Sequence, residues 1–165
     1  MLNHSFKIAS AALASVWGGS NVKQNMNISP IAGRGQAEVV IKKKLLGGAT
    51  LSSMSLTIPV LIDHPEGEEE TEIILPDIAF ASEDTQRMAG RVFAFPVNPH
   101  DGYIDGSVYF AGVHNPVDCD QITFLSEVGS RVSLKLHCVF DFEYEGPVEL
   151  GKREETITVD LPVVN

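Results

Sequence analysis

Apolar and polar residues alternate along most of this chain with a period of two. Between residues 51 and 62 every second side chain is apolar, namely Met54, Leu56, Ile58, Val60 and Ile62. Such alternation is typical of a strand with one buried face. The same pattern, bounded by Gly, Pro, Asn and Asp, predicts strands at residues 36–46, 51–62, 73–81, 91–97, 103–113, 121–128, 131–144 and 155–164.

About eight strands joined by turns predict an all-β protein, an antiparallel β-sandwich of jelly-roll or immunoglobulin-like type. A parallel α/β fold would need helical segments of about 10–15 residues between the strands, and the pattern shows none there. Pro59, Pro76, Pro96 and Pro162 interrupt four strands. Proline cannot donate to a ladder, so these positions predict edges, bulges or departures from a sheet. Their number favours two packed sheets over a closed barrel.

The first 35 residues do not follow the two-residue period. Residues 8–17 are apolar and Ala-rich, which predicts a short helix or, alternatively, the core of a signal peptide. Residues 21–35 are polar, with Pro30 and two glycines, and are interpreted as a loop or an extended arm. We therefore predict an N-terminal arm or short helix at 1–35 and a sandwich domain at 36–165. Another short helix is expected at 83–89.

Composition narrows the class without naming an activity. The chain has 165 residues, 44% of them hydrophobic, and a net charge of −10, which suits one globular domain. The acidic balance makes nucleic acid an unlikely main partner, because phosphate binding needs a basic face. No segment reaches the ~18 apolar residues of a membrane span. The sequence leaves the compartment open between the cytoplasm and a virion or extracellular location.

The two cysteines, Cys119 and Cys138, exclude a disulfide-rich scaffold. Alternation in the strand at 131–144 places Cys138 on the buried face beside Leu136 and Phe140. A buried free thiol is the favoured interpretation. A bridge to Cys119 remains the alternative.

Charge is distributed unevenly. Residues 1–60 contain six basic side chains and one acidic one, whereas residues 61–165 contain six basic and 21 acidic. Three of the basic residues, Lys42, Lys43 and Lys44, are consecutive. Opposite charge favours contact of the basic first part with an acidic body, either its own or that of a neighbouring copy. We expect a homo-oligomer or a protein partner, with these three lysines at the contact.

Two acidic segments are candidates for chemistry. His114, Asp118, Cys119 and Asp120 are all competent zinc ligands, but they are expected on one tight loop without a remote second ligand group. A structural loop is favoured there, and no metal or cofactor is expected. Residues 63–72, with five glutamates, are predicted to be a charged, solubilising loop.

The chain contains no motif for a nucleophile elbow, a metalloprotease helix or a phosphate-binding loop. The expectation is therefore a non-enzymatic structural or interaction protein that supports self-assembly, such as a virion, phage-tail or surface-fibre component. The alternative is a module that binds a small ligand or a carbohydrate. Its exposed aromatic residues would be Tyr103, Tyr109 and Tyr144.

Overall fold

The computed structural model describes residues 26–42, 51–81 and 88–164. Within them the regular structure is all-β, as predicted, apart from one 3₁₀ turn at Val148–Leu150. The strands are β1 (Asn27–Pro30), β2 (Gln36–Lys42), β3 (Leu51–His64), β4 (Gly67–Ala81), β5 (Val92–Ala94), β6 (Asp105–Phe110), β7 (Val113–Val128), β8 (Arg131–Asp141) and β9 (Lys152–Val164). Here no helix is long and apolar enough to cross a membrane.

Seven of these strands close into a barrel, so the predicted sandwich is wrong. Neighbouring strands around the barrel are β3, β2, β9, β8, β7, β6 and β4, and β4 pairs again with β3. The long β3–β4 and β7–β8 hairpins form most of the wall. Two short ladders complete the closure, a parallel one between β2 and β9 and an antiparallel one between β4 and β6.

Two of the four prolines, Pro76 and Pro162, lie where a ladder is interrupted or a strand changes partner, which is compatible with a barrel. Pro76 falls at the bulge in the β3–β4 ladder, next to Asp77, whose backbone amide donates to the Ser55 hydroxyl at 3.1 Å. Pro162 is the last residue of β9 paired with β8, just before β9 meets β2. Bulges and partner changes bend strands in the way a closed barrel needs. The inference of two sheets from these prolines was therefore wrong.

β1 and β2 pair with successive parts of β3 and run in the same direction. Pro30 is opposite Val60 and Gln36 is opposite Thr57, so residues 31–35 form an excursion outside the ladder. Gly35 ends it with φ +92°, and a Cβ there would lie 2.6 Å from the Thr57 carbonyl oxygen. β1 lies inside the segment predicted as the arm and buries Ile28 against the barrel. The predicted helix and signal-peptide core at 8–17, and most of 83–89, lie outside the described residues.

The barrel core follows the alternation seen in the sequence. All five apolar side chains predicted on one face of β3 are buried. One end of the core contains edge-to-face pairs among Phe80, Phe93, Phe95 and Phe124. Towards the other end, Phe110, Phe140 and Phe142 are in contact. The interior is therefore filled by side chains, as expected for a small barrel.

Three predicted segments differ from the structure. Residues 63–72 are not a loop, since β3 continues to His64, β4 begins at Gly67, and the glutamates from 68 onward lie on a strand. Residues 114–120 are part of β7 and not a tight loop. The strand predicted at 103–113 is interrupted by the two-residue turn at 111–112.

Candidate interaction face

The outer surface of β4, β6 and β7 combines exposed apolar side chains with carboxylates. The ladders place Ile74 opposite Ser107 and Tyr109 opposite His114, so their side chains point to the same surface. A shallow groove of about 230 Å³ runs between the strands. Its lining residues, which define the β4–β6–β7 face below, are Thr71, Glu72, Ile74, Ser107, Tyr109 and His114.

Tyr109 is the central aromatic residue of this face and is 49% exposed. Its ring meets the His114 ring edge-on, with centroids 5.0 Å apart. The Tyr109 hydroxyl donates to the Gly112 carbonyl at 2.9 Å. The backbone carbonyl of Tyr109 accepts a hydrogen bond from the Thr71 hydroxyl. These bonds hold the ring in place while leaving much of it in water. Beside it, Ile74 is 42% exposed although β4 carries buried neighbours on either side of it.

An acidic stripe borders the face along β4. Glu68, Glu70 and Glu72 occupy alternate positions of the strand, and all three are exposed. Arg34, from the excursion between β1 and β2, forms an ion pair with Glu70. Thus one basic residue of the first 60 forms an ion pair with an acidic residue of its own chain.

The candidate metal ligands do not converge. His114 packs on Tyr109, and Cys119 is buried in the core. Asp120 Oδ1 is hydrogen-bonded to His137 Nδ1 at 2.6 Å. Asp118 lies opposite Asp105 of β6. In the part of the chain that the structure describes, no group of three or more His, Cys, Asp or Glu side chains is arranged to hold a metal ion.

Asp118 experiences unfavourable electrostatics. Its partial burial raises its pKa, and the Asp141 and Asp105 carboxylates raise it further. The Asn98 backbone amide and Lys152 lower the pKa in part. Lys152 itself is held by Asp141 at 3.0 Å. The ionised form of Asp118 therefore lowers the stability of the folded barrel.

We predict that Asp118→Asn stabilises the protein at pH 7. The raised pKa means that the folded state binds the proton more tightly, so stability falls as pH rises from the unfolded pKa through the folded one. Asparagine removes the charge and keeps an acceptor oxygen for the Asn98 amide. The gain should be up to about 1 kcal/mol, the size of a cross-strand charge pair, and should vanish near about pH 3, where Asp is protonated in both states. Thermal unfolding at both pH values measures it. Glu127→Gln, at an exposed position, is the control, and an equal gain in both variants would contradict the explanation.

The three candidate tyrosines lie on separate segments. Tyr109 is on β6, whereas Tyr103 is partly buried in the turn before β6 and Tyr144 follows β8, 72% exposed. Of the candidate assembly lysines, Lys42 is the last residue of β2, and Lys43 and Lys44 lie outside the described residues. β2 pairs with β9 only at Ala37 and Glu38, so within the described residues one edge of 39–42 has no strand partner.

Sequence reasoning identified Tyr109 and His114 but assigned them to different kinds of site. It missed Glu72, Ile74 and Ser107, which join them on one surface. A signal was present, since Glu68, Glu70 and Glu72 share the phase of Ile74 on β4. Because a loop has no alternating sides, predicting a loop there gave no reason to place these residues on one surface with Ile74.

A second cavity of about 670 Å³ lies at the end of the barrel near the β3–β4 turn. Its apolar floor includes Phe110 and Leu150, and the exposed Glu66 and Glu149 lie at its rim. The His64 ring meets Phe110 edge-on at 5.1 Å. This imidazole packs on an aromatic ring, and the described residues that line the cavity include no Ser, Thr, Cys or Lys side chain that could act as a nucleophile beside it.

The chain matches no protein-family model, no curated protein and no solved structure.

Proposed function

We propose that this chain is a non-enzymatic, self-assembling interaction protein whose β4–β6–β7 face receives the basic tract Lys42–Lys44 of another copy. The observation that carries the proposal is that the exposed side chains of Ile74 and Tyr109 lie beside the acidic stripe of β4. Exposed aromatic and aliphatic anchors beside charged groups are characteristic of binding surfaces. A net excess of carboxylate at this border favours a cationic partner.

Both the apolar stem and the charged end of a lysine side chain suit this groove. The methylene stem can lie against the Tyr109 ring and Ile74, while the ammonium group reaches the Glu72 carboxylate. Arg34 on Glu70 is the intramolecular example of a basic side chain bound to this stripe. Within the described part of the chain, Glu68 and Glu72 form no ion pair.

The donor and acceptor surfaces are different parts of the chain, so the contact is heterologous. Such contacts close into rings or continue as filaments, depending on the rotation between copies. This favours a role as a structural subunit of a larger assembly, such as a virion, phage-tail or surface-fibre component. Among the residues that the structure describes, one edge of β2 at 39–42 has no strand partner, and this supports the same role, because a strand edge can pair with a strand of a partner.

Light scattering after gel filtration of the full chain tests this function. At low ionic strength and increasing protein concentration, we expect masses that are multiples of 17.9 kDa. Salt at about 0.5 M shortens the Debye length to a few ångströms and should return the protein toward the monomer. A strict monomer at high concentration and low salt would exclude self-assembly.

The alternative function, a carbohydrate-binding module, is favoured by one observation on the same face. The exposed Tyr109 ring is surrounded by the hydroxyls of Thr71 and Ser107 and by the Glu72 carboxylate, the combination needed to stack on a sugar ring and hydrogen-bond its hydroxyls. Titration with neutral mono- and disaccharides, followed by NMR, tests it. Saturable shifts confined to these residues would support it, and no shift at tens of millimolar sugar would exclude it.

A further inference from the structure

Cys119 and Cys138 face each other across the β7–β8 ladder. They are direct partners in the antiparallel register, next to a bulge that follows Cys119 on β7. Both are free thiols, and their exposed fractions are 1% and 0%. The two thiol groups are close enough to share a hydrogen bond. Directly opposed residues on antiparallel strands have Cα atoms about 4.5–5.5 Å apart, inside the range that disulfides span.

We propose that Cys119 and Cys138 are an oxidation site that forms an intramolecular disulfide linking β7 to β8. The electron acceptor is a low-molecular-weight disulfide of the glutathione type. The site lies within one chain and is independent of the assembly proposed above. The register supports the link, because it already places the two residues directly opposite each other.

The reaction consists of two thiol–disulfide exchanges. The thiolate of one cysteine attacks the oxidant disulfide, forms a mixed disulfide and releases one small thiol. The second cysteine then loses its proton and attacks the protein sulfur of that mixed disulfide, releasing the second small thiol. Overall, two protein thiols are oxidised to one disulfide, and one oxidant disulfide is reduced to two thiols.

Burial determines when this reaction is fast. A hydrogen bond that the Cys138 thiol donates to the Cys119 side chain and the burial of the site raise the pKa of the Cys138 thiol well above its usual value. The thiolate is the reactive form, so the folded barrel should react slowly. Oxidation is expected mainly while β7 and β8 are still forming or are transiently open. The disulfide would then close a loop that includes the β7–β8 turn and resist separation of these two strands.

Refolding of the full chain from denaturant tests the proposal. With oxidised and reduced glutathione present, we expect a product two hydrogens lighter, in which peptide mapping joins Cys119 to Cys138. Its melting temperature should exceed that of the reduced protein by roughly 5–10 °C. Native reduced protein in the same buffer should oxidise at least ~10-fold more slowly.

Cys119→Ala and Cys138→Ala are matched controls, since each leaves one thiol and should yield a mixed glutathione disulfide or a free thiol. If either variant fails to fold, peptide mapping of the unmodified chain still decides the question. Folded protein that retains two free thiols, or carries only mixed disulfides after oxidative refolding, would overturn the proposal.

Discussion

Replacing Lys42, Lys43 and Lys44 by glutamate should weaken assembly at low salt by about 10- to 100-fold. Each lysine contact at an exposed face is expected to contribute about 0.5–1 kcal/mol, and three of them add up to a change of that size. Repulsion between the introduced glutamates and the stripe on β4 increases the loss. The measurement is the concentration dependence of the mass by light scattering or sedimentation.

The matched control replaces Lys7, Lys23 and Lys135 by glutamate, which gives the same net charge without changing the tract. Equal weakening in both variants would attribute assembly to overall charge and contradict the proposed contact. A second chain with Glu68→Lys and Glu72→Lys keeps Glu70 for Arg34. Each variant alone should associate more weakly than the unmodified chain, and mixing them should restore association, because charge complementarity is then recovered with the signs exchanged.

Alternation in the sequence predicted the all-β class and parts of most strands, because a half-buried strand imposes its period directly on the chain. It did not predict closure. Closure rests on the β2–β9 and β4–β6 ladders, each of two residue pairs. Such short pairings between distant parts of the chain leave no local pattern in the sequence. In addition, a proline at a bulge cannot be distinguished in the sequence from a proline at a sheet edge.

The acidic segment was misread for a different reason. Five glutamates between residues 66 and 72 suggested a solvated loop, whereas β4 carries three of them at alternate, exposed positions. A strand at a barrel surface tolerates charge on the face that water covers. The buried phase of the same strand begins only after the glutamates, with Ile73 and Leu75.

The turn that creates the interaction face was also hidden. Phe110 pairs with Val113 across Ala111 and Gly112, both at positive φ, 54° and 82°. Such two-residue turns usually carry Asn-Gly or Asp-Gly. Ala-Gly is not a turn signal of this kind, so the sequence predicts one strand over residues 103–113. That turn fixes the register that brings Tyr109 beside His114.

Gly106→Ala should destabilise the barrel by about 2–4 kcal/mol, because overpacking at a closed backbone site costs at least as much as in an ordinary core. Gly106 is buried on β6. A Cβ there would lie 2.5 Å from the Val117 carbonyl oxygen and 2.5 Å from Leu75 Cδ2, with the Ile74 carbonyl oxygen at 3.3 Å. Those atoms belong to β7 and β4, the neighbours of β6 in the wall.

Denaturant unfolding of Gly106→Ala beside Gly102→Ala separates this steric effect from backbone conformation. Gly102 has φ +89° and only Pro96 Cγ, at 3.9 Å, near its added Cβ, so its alanine variant should lose about 1 kcal/mol through strain alone. The β4 and β7 backbones confine Gly106 from both sides. A larger loss of unfolding free energy in Gly106→Ala than in Gly102→Ala would therefore show that β4, β6 and β7 are closely packed at the short ladder that completes the barrel. Equal losses in the two variants would mean that β4 is not held against β6, and that the wall is open along this seam.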